Sequence, residues 1–126
     1  MEKQRLVVSQ LGKTWIFDFD GTLVEHNAYK TGEDRWLPGA KEFLQNIPVD
    51  DYVLILTARE IGSKAKTVHF LSDNCIRYNE ILFEVPMGER IMFNDSKLSG
   101  LKMAYSVECT RNEGLGNIEI VIDESL

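Results

Sequence analysis

Tyr52-Val53-Leu54-Ile55-Leu56 is an unbroken apolar run between Asp50-Asp51 and Thr57. A short continuous run of this kind is the pattern of a strand covered on both faces, as in a parallel sheet. Ile61, Ala65, Val68 and Leu71 follow it at helical spacing. The same pairing occurs upstream, where Trp15-Ile16-Phe17 runs into Asp18 and is followed by Leu37, Ala40, Phe43, Leu44 and Ile47, with Pro38 suited to a first helical turn. Alternation of buried strand and crossover helix reads as an α/β fold.

Further along, Ile81-Leu82-Phe83 and Ile91-Met92-Phe93 are expected as third and fourth strands. The segment between them, Pro86-Met87-Gly88-Glu89-Arg90, is too short for a helical crossover, so these two need not be neighbours in the sheet. Leu98, Leu101 and Ala104 suggest a short helix, and a fifth strand is expected around Ser106 to Thr110. Ile118-Glu119-Ile120-Val121-Ile122 alternates and reads as a sixth, edge-like strand. There is no repeat, low-complexity tract or linker, and 126 residues with 44% hydrophobic content suit one core, so a single domain over 1–126 is expected.

The formal charge of −6 makes nucleic-acid backbones and anionic membranes poor partners, because both require a positive face. No window approaches the run of about 18 apolar residues of a membrane span, and a cytoplasmic location is expected. Cys75 and Cys109 are far apart and lack metal-ligand spacing, so both read as buried free thiols.

Three of the expected strands end in polar residues: Asp18 and Asp20 after the first, Thr57 after the second, Asn94 and Asp95 after the fourth. In open α/β sheets the ligand crevice lies outside the carboxyl ends of the strands, so these side chains are expected to converge. Taken singly, Asp18 and Asp95 suit turn or helix capping. As a set, carboxylates from neighbouring strands repel unless a cation lies between them, and magnesium suits such a site. A calcium-binding EF-hand loop from Asp18 is excluded, since its glycine and glutamate positions hold Leu23 and Tyr29.

Asp18-Phe19-Asp20-Gly21-Thr22-Leu23 after an apolar strand resembles the first motif of the haloacid dehalogenase superfamily of aspartate-nucleophile phosphatases. Thr57, ending Leu54-Ile55-Leu56-Thr57 before Ala58-Arg59, is similar to its second motif, and Asn94-Asp95 to a short form of its fourth. The resemblance implies a Rossmann-like, mostly parallel sheet of about five strands flanked by helices, with no cap domain. It also implies a small phosphorylated metabolite, such as a sugar phosphate, as substrate.

By the same resemblance, Asp18 is the nucleophile that becomes an aspartyl-phosphate, and Asp20 protonates the leaving oxygen and then activates water. Asp18, the Asp20 carbonyl and Asp95 would hold Mg2+. Thr57 would donate to a phosphoryl oxygen, and Gly21, Thr22 and Ala58 would line the phosphate side with backbone amides. Arg59 would meet distal groups of the substrate. The third motif of the family is a cation, and Phe83-Glu84-Val85-Pro86 offers none where small members carry it. Lys97, two positions after Asp95, is the candidate. Arg90 is expected at the wrong end of the fourth strand, as a surface residue.

A short flap of roughly residues 24–36 would cover the pocket, with His26, Asn27, Tyr29 and Trp36 able to touch a substrate. A neighbouring subunit can also close an open pocket, so a homo-oligomer is compatible with this reading. Two other functions fit the same residues: a non-catalytic module that binds a phospho-ligand or partner, and a polynucleotide 3'-phosphatase, which the acidic composition disfavours.

Overall fold

The computed structural model describes residues 3–126. Five strands form two parallel sheets. β2 (Thr14–Asp18), β3 (Tyr52–Leu56) and β4 (Glu80–Leu82) lie in the order β2-β3-β4. β1 (Gln4–Val8) pairs with β5 (Ile118–Ile122), from Gln4 opposite Ile118 to Val8 opposite Ile122. Helix α1 (Ala28–Thr31) lies in the flap, α2 (Ala40–Gln45) connects β2 to β3, and α3 (Lys64–Asp73), entered through a 3-10 turn at Ile61–Ser63, connects β3 to β4.

Two polar side chains pin the register of the three-stranded sheet. Asp51 accepts from the Lys13 amide at 3.1 Å and from Trp15 Nε1 at 2.9 Å, which holds the start of β3 against β2. Asn79 accepts from the Val53 amide at 2.7 Å and does the same for β4. A one-residue slip would turn every apolar side chain to the other face, so these bonds fix which residues are buried.

The buried face carries Phe17, Val53 and Ile55, with Trp15 and Ile81 partly covered. Phe43 of α2 meets Trp15 and Phe17 edge-on, at centroid distances of 5.8 and 6.0 Å. Such aromatic pairs contribute about 0.5–1.5 kcal/mol beyond the area they bury. The opposite face is more open, and Ile16 and Leu82 are 48% and 44% exposed. Residues 114–116 strap this core to Pro38: the Leu115 amide donates to the Pro38 carbonyl at 2.9 Å, and a Cβ on Gly114 would overlap that carbonyl.

Several expectations from sequence need correction. β1 was not anticipated; its partner lies more than a hundred residues away, and a five-residue strand carries no local mark of such a pairing. Residues 83–117 contain no helix or strand, so the strands expected at 91–93 and around 106–110 and the helix expected over Leu98–Ala104 are absent there. A single turn, with the Gly100 amide on the Lys97 carbonyl, occupies the place of that helix. An apolar run becomes a strand only when its backbone finds a partner, and Ile91 and Phe93 remain 77% and 92% exposed. α3 is also rotated from the expected face: Thr67 and Leu71 are buried, and Ile61 before it is 57% exposed. Of the two thiols expected to be buried, Cys75 is exposed. The molecule is therefore α/β with parallel sheets of two and three strands flanked by helices. Among the described residues no helix is long and apolar enough to cross a membrane.

Candidate active site

Asp18 is the last residue of β2, opposite Leu56 of β3. The chain then turns sharply. The amides of Thr22, Leu23 and Val24 converge on the Phe19 carbonyl at 3.3, 2.9 and 3.3 Å, and the Gly21 amide donates to the Val24 carbonyl at 2.7 Å. Gly21 has φ +85°, a conformation that side chains rarely adopt. A Cβ there would also lie 3.3 Å from Cγ of Arg111. Asn112 braces this loop from outside, donating its amide to the Gly21 carbonyl at 2.8 Å and accepting the His26 amide on Oδ1 at 2.8 Å. Among the described residues, the buried His26 Nδ1 has no hydrogen-bond partner.

Both carboxylates on the loop carry a guanidinium. Asp18 Oδ1 accepts from Arg90 Nη1 at 3.0 Å, and its Oδ2 accepts from the Thr22 hydroxyl at 3.1 Å. Asp20 accepts from Arg59 Nη2 at 2.8 Å and Arg59 Nε at 3.1–3.2 Å, and from the Thr57 hydroxyl at 3.2 Å. Thr57 is buried at the end of β3, where its hydroxyl also accepts the Arg59 amide at 3.1 Å. The convergence expected of Asp18, Asp20 and Thr57 is present, since all three lie at the carboxyl ends of adjacent parallel strands.

Arg59 is 2% exposed. Besides Asp20 it binds Asp34 with Nη1 at 3.0 Å and Nη2 at 2.7 Å, and Nη1 also donates to the Thr67 hydroxyl at 2.9 Å. All five N–H groups of its guanidinium are thus engaged, and none is left for the distal end of a substrate. Burial, the largest single influence, would lower its pKa, but the hydrogen bonds to Asp34 and Asp20 together with the charges of both carboxylates outweigh it and hold the guanidinium above its ordinary value. Tyr29 and Phe19 lie against the same guanidinium, with ring centroids 3.8 and 4.7 Å from Cζ.

Asp95 and Lys97 lie in the exposed stretch between Ile91 and Gly100, where they help line a shallow pocket of about 270 Å³ with Ser96, Leu98 and Met103. Among the described residues no hydrogen bond or ion pair joins either one to Asp18, Asp20 or Thr57, and no three His, Cys, Asp or Glu side chains gather into a group able to hold a metal ion. Of the expected magnesium ligands, Asp18 ends β2 and Asp20 lies on the loop after it, and among the described residues Asp95 is joined to neither. Ala58 is exposed beside Thr57.

The cation that does meet Asp18 is Arg90. Placing it at the far end of a strand presupposed that residues 91–93 are extended within the sheet; without that strand the chain brings Arg90 back over Asp18. Asp34, 8% exposed, was also missed, because an aspartate in the loop after Gly32-Glu33 has no local mark that separates it from a solvated one. The one available signal was Arg59 itself, since a guanidinium directly after a buried strand requires carboxylates. Cys109 lies near the site as well: burial, and then the charge of Asp18, push its thiol pKa up. Comparison of the chain with family models, curated proteins and solved structures gives no match in any of the three.

Proposed function

We infer that this chain is a phosphomonoester hydrolase of the haloacid dehalogenase type. The observation that carries the reading is the loop after β2: two aspartates two residues apart at the carboxyl end of a strand, with the Thr57 hydroxyl of the neighbouring strand on Asp20. Asp18 has the exposed position a nucleophile needs. Asp20 is more enclosed, and three donor groups fix the aim of its carboxyl; on this reading it protonates the leaving oxygen and later takes a proton from water.

On this reading Asp18, the Asp20 carbonyl and Asp95 would hold Mg2+, which would supply charge stabilisation to a transferring phosphoryl group. That requires Asp95 to come to Asp18. β2 has a free edge in the β2-β3-β4 sheet, and Ile91-Met92-Phe93 is an exposed apolar run of strand-forming residues directly before Asn94-Asp95. We take the working state to be the one in which this run pairs with β2, giving a Rossmann-like sheet of about five strands once a strand around Ser106 to Thr110 is added. Arg90 then leaves Asp18, and Lys97 becomes the neighbouring cation.

The substrate proposed is a small phosphorylated metabolite such as a sugar phosphate. The short flap leaves little surface for reading a larger molecule, and the acidic chain disfavours a polyanion. A second reading has a specific observation behind it: with a guanidinium on each carboxylate, the loop resembles a structural ion-pair centre, as a non-catalytic binding module would have. Release of phosphate from p-nitrophenyl phosphate by purified protein, with and without magnesium, separates the two. Magnesium-dependent release that disappears in Asp18→Asn is expected; its absence in the wild type would rule out the hydrolase.

A further inference from the structure

Arg59 holds two carboxylates from different parts of the chain with one rigid plane. Its Nη1 and Nη2 form a fork on Asp34 of the flap, and its Nε and Nη2 form a second on Asp20 of the aspartate loop. The side chains of Arg59 and Asp34 are both 1% exposed and that of Asp20 is 16% exposed. A planar guanidinium fixes the angle between its two edges, so the position of Asp34 is transmitted to Asp20; an ammonium, a single point charge, would not transmit it.

The flap is fastened by other bonds too. Lys66 Nζ donates to the carbonyls of Tyr29 at 3.1 Å and Gly32 at 2.6 Å. The Glu25 amide donates to the Arg35 carbonyl at 2.9 Å, and Trp36 lies on Phe70 with a centroid distance of 5.0 Å. The Lys66 and Phe70 contacts tie the flap to α3, and the Glu25–Arg35 bond closes the flap on itself. The flap also meets the aspartate loop through the Asp20–Val24 and Val24–Trp36 bridges, the Leu37 amide on the Leu23 carbonyl at 2.9 Å, and Asn112, which joins the His26 amide to the Gly21 carbonyl. Among the described residues the flap reaches the Asp20 carboxylate itself only through Arg59.

We propose that Asp34 is a positioning residue: through Arg59 it sets the aim of the Asp20 carboxyl and makes the flap and the aspartate loop one mechanical unit, with the flap a fixed wall of the pocket. The catalytic part of this rests on the hydrolase reading above; the mechanical coupling does not. Both planar forks are needed: with the Asp34 fork weakened, the Thr67 hydroxyl is the remaining hydrogen bond on Nη1, and the guanidinium can turn further about its Cδ–Nε bond, carrying the Asp20 carboxyl with it.

Asp34→Asn is nearly isosteric and removes one fork's charge. Amide hydrogen exchange on the full chain is expected to speed up at flap amides Glu25 and Gly32 and, to a comparable degree, at loop amides Gly21, Leu23 and Val24. In the same variant, hydrolysis of an alkyl phosphate should fall about tenfold more than that of p-nitrophenyl phosphate, since a misaimed acid is missed most by a poor leaving group. A purely structural role would lower both rates equally. Faster exchange confined to the flap, or an unchanged ratio of the two rates, would overturn the proposal. Should the wild type hydrolyse neither ester, the hydrolase reading fails by itself, and the exchange result still decides the coupling. Thr67→Val, which frees one Arg59 N–H without removing a charge, is the milder variant if Asp34→Asn does not fold; it should give the same pattern at smaller amplitude, and exchange limited to the flap would again count against the coupling.

Discussion

Residues 14–82 and residues 83–117 both carry short apolar runs, yet the first stretch contains a parallel sheet with Val53 and Ile55 fully buried, and the second leaves Met87, Ile91 and Phe93 on the surface. Hydrophobicity does not separate them. Partnership does: β2, β3 and β4 are held in register by Asp51 and Asn79, whereas no comparable polar pin is found for Ile91-Met92-Phe93. A strand is half of an interaction, and its stability depends on the edge offered to it. The proposed site residues divide the same way, with Asp18, Asp20 and Thr57 in the sheet-forming stretch and Asp95 and Lys97 in the irregular one.

The largest expected effect tests whether the sheet-forming stretch carries the reaction. Asp18→Asn should reduce phosphate release to background at unchanged far-UV circular dichroism. Asp20→Asn should lose about 10²–10⁴-fold on alkyl phosphates and less on p-nitrophenyl phosphate. Substantial turnover in folded Asp18→Asn would mean that the loop is not where the covalent step occurs, and the chemical half of the comparison would be lost.

Stability variants address the packing half directly. Ile55→Ala removes a fully buried side chain at the centre of the sheet and should cost about 2–5 kcal/mol in urea unfolding. Phe93→Ala removes a side chain that is 92% exposed and should cost no more than about 0.5 kcal/mol in the absence of magnesium and phosphate. Equal losses would show Phe93 packed in the free protein. A loss for Phe93→Ala that appears only when magnesium and phosphate are present would instead sharpen the contrast, since residues 91–93 would then join the sheet only in the working state.

How far the chain could be read beforehand follows the same division. The runs at 15–17 and 52–56 and the helical spacing of Leu37 to Leu44 led directly to β2, β3 and α2, because each carries its own continuous or periodic apolar pattern. The face of α3 was misread because Thr67 counts as outward by polarity, whereas it is buried to receive Arg59. Asp18, Asp20 and Thr57 were legible from their positions at strand ends. Asp34 and Arg90 were not, as each meets its partner through a long excursion of the chain, with 25 residues between Asp34 and Arg59 and 72 between Asp18 and Arg90.

Arg90 stands beside Asp18, and the working state proposed above would put Lys97 there instead. If the working state is the one with residues 91–93 on the β2 edge, Lys97→Ala should lower kcat by about 10²-fold, with Lys97→Arg only partly restoring it, and Arg90→Ala should stay within about threefold of the wild type. The reverse order would make the Arg90–Asp18 pair the working arrangement, and residues 91–93 would have no catalytic task.

The smallest effect tests the boundary of the irregular stretch. Cys109 lies within it, yet its side chain packs against the buried cluster, whereas Cys75, just after α3 in the sheet-forming stretch, is exposed. Burial first, and then the charge of Asp18, favour the protonated thiol of Cys109, so less thiolate is present at a given pH than for an ordinary cysteine. Iodoacetamide at pH 8 should therefore label Cys75 first, with Cys109 slower by about tenfold or more. The sign carries over to stability. A thiol whose pKa is raised on folding binds its proton more tightly in the folded state, so this contribution is complete below the ordinary thiol range and declines as pH rises through and above it. Asp18→Asn removes the charge that adds to the shift and should speed alkylation of Cys109 while leaving Cys75 unchanged. If Cys109 instead reacts as fast as Cys75 in the wild type, residues 107–109 are no better packed than residues 91–93, and the loosely packed stretch reaches all the way to the Gly114 strap.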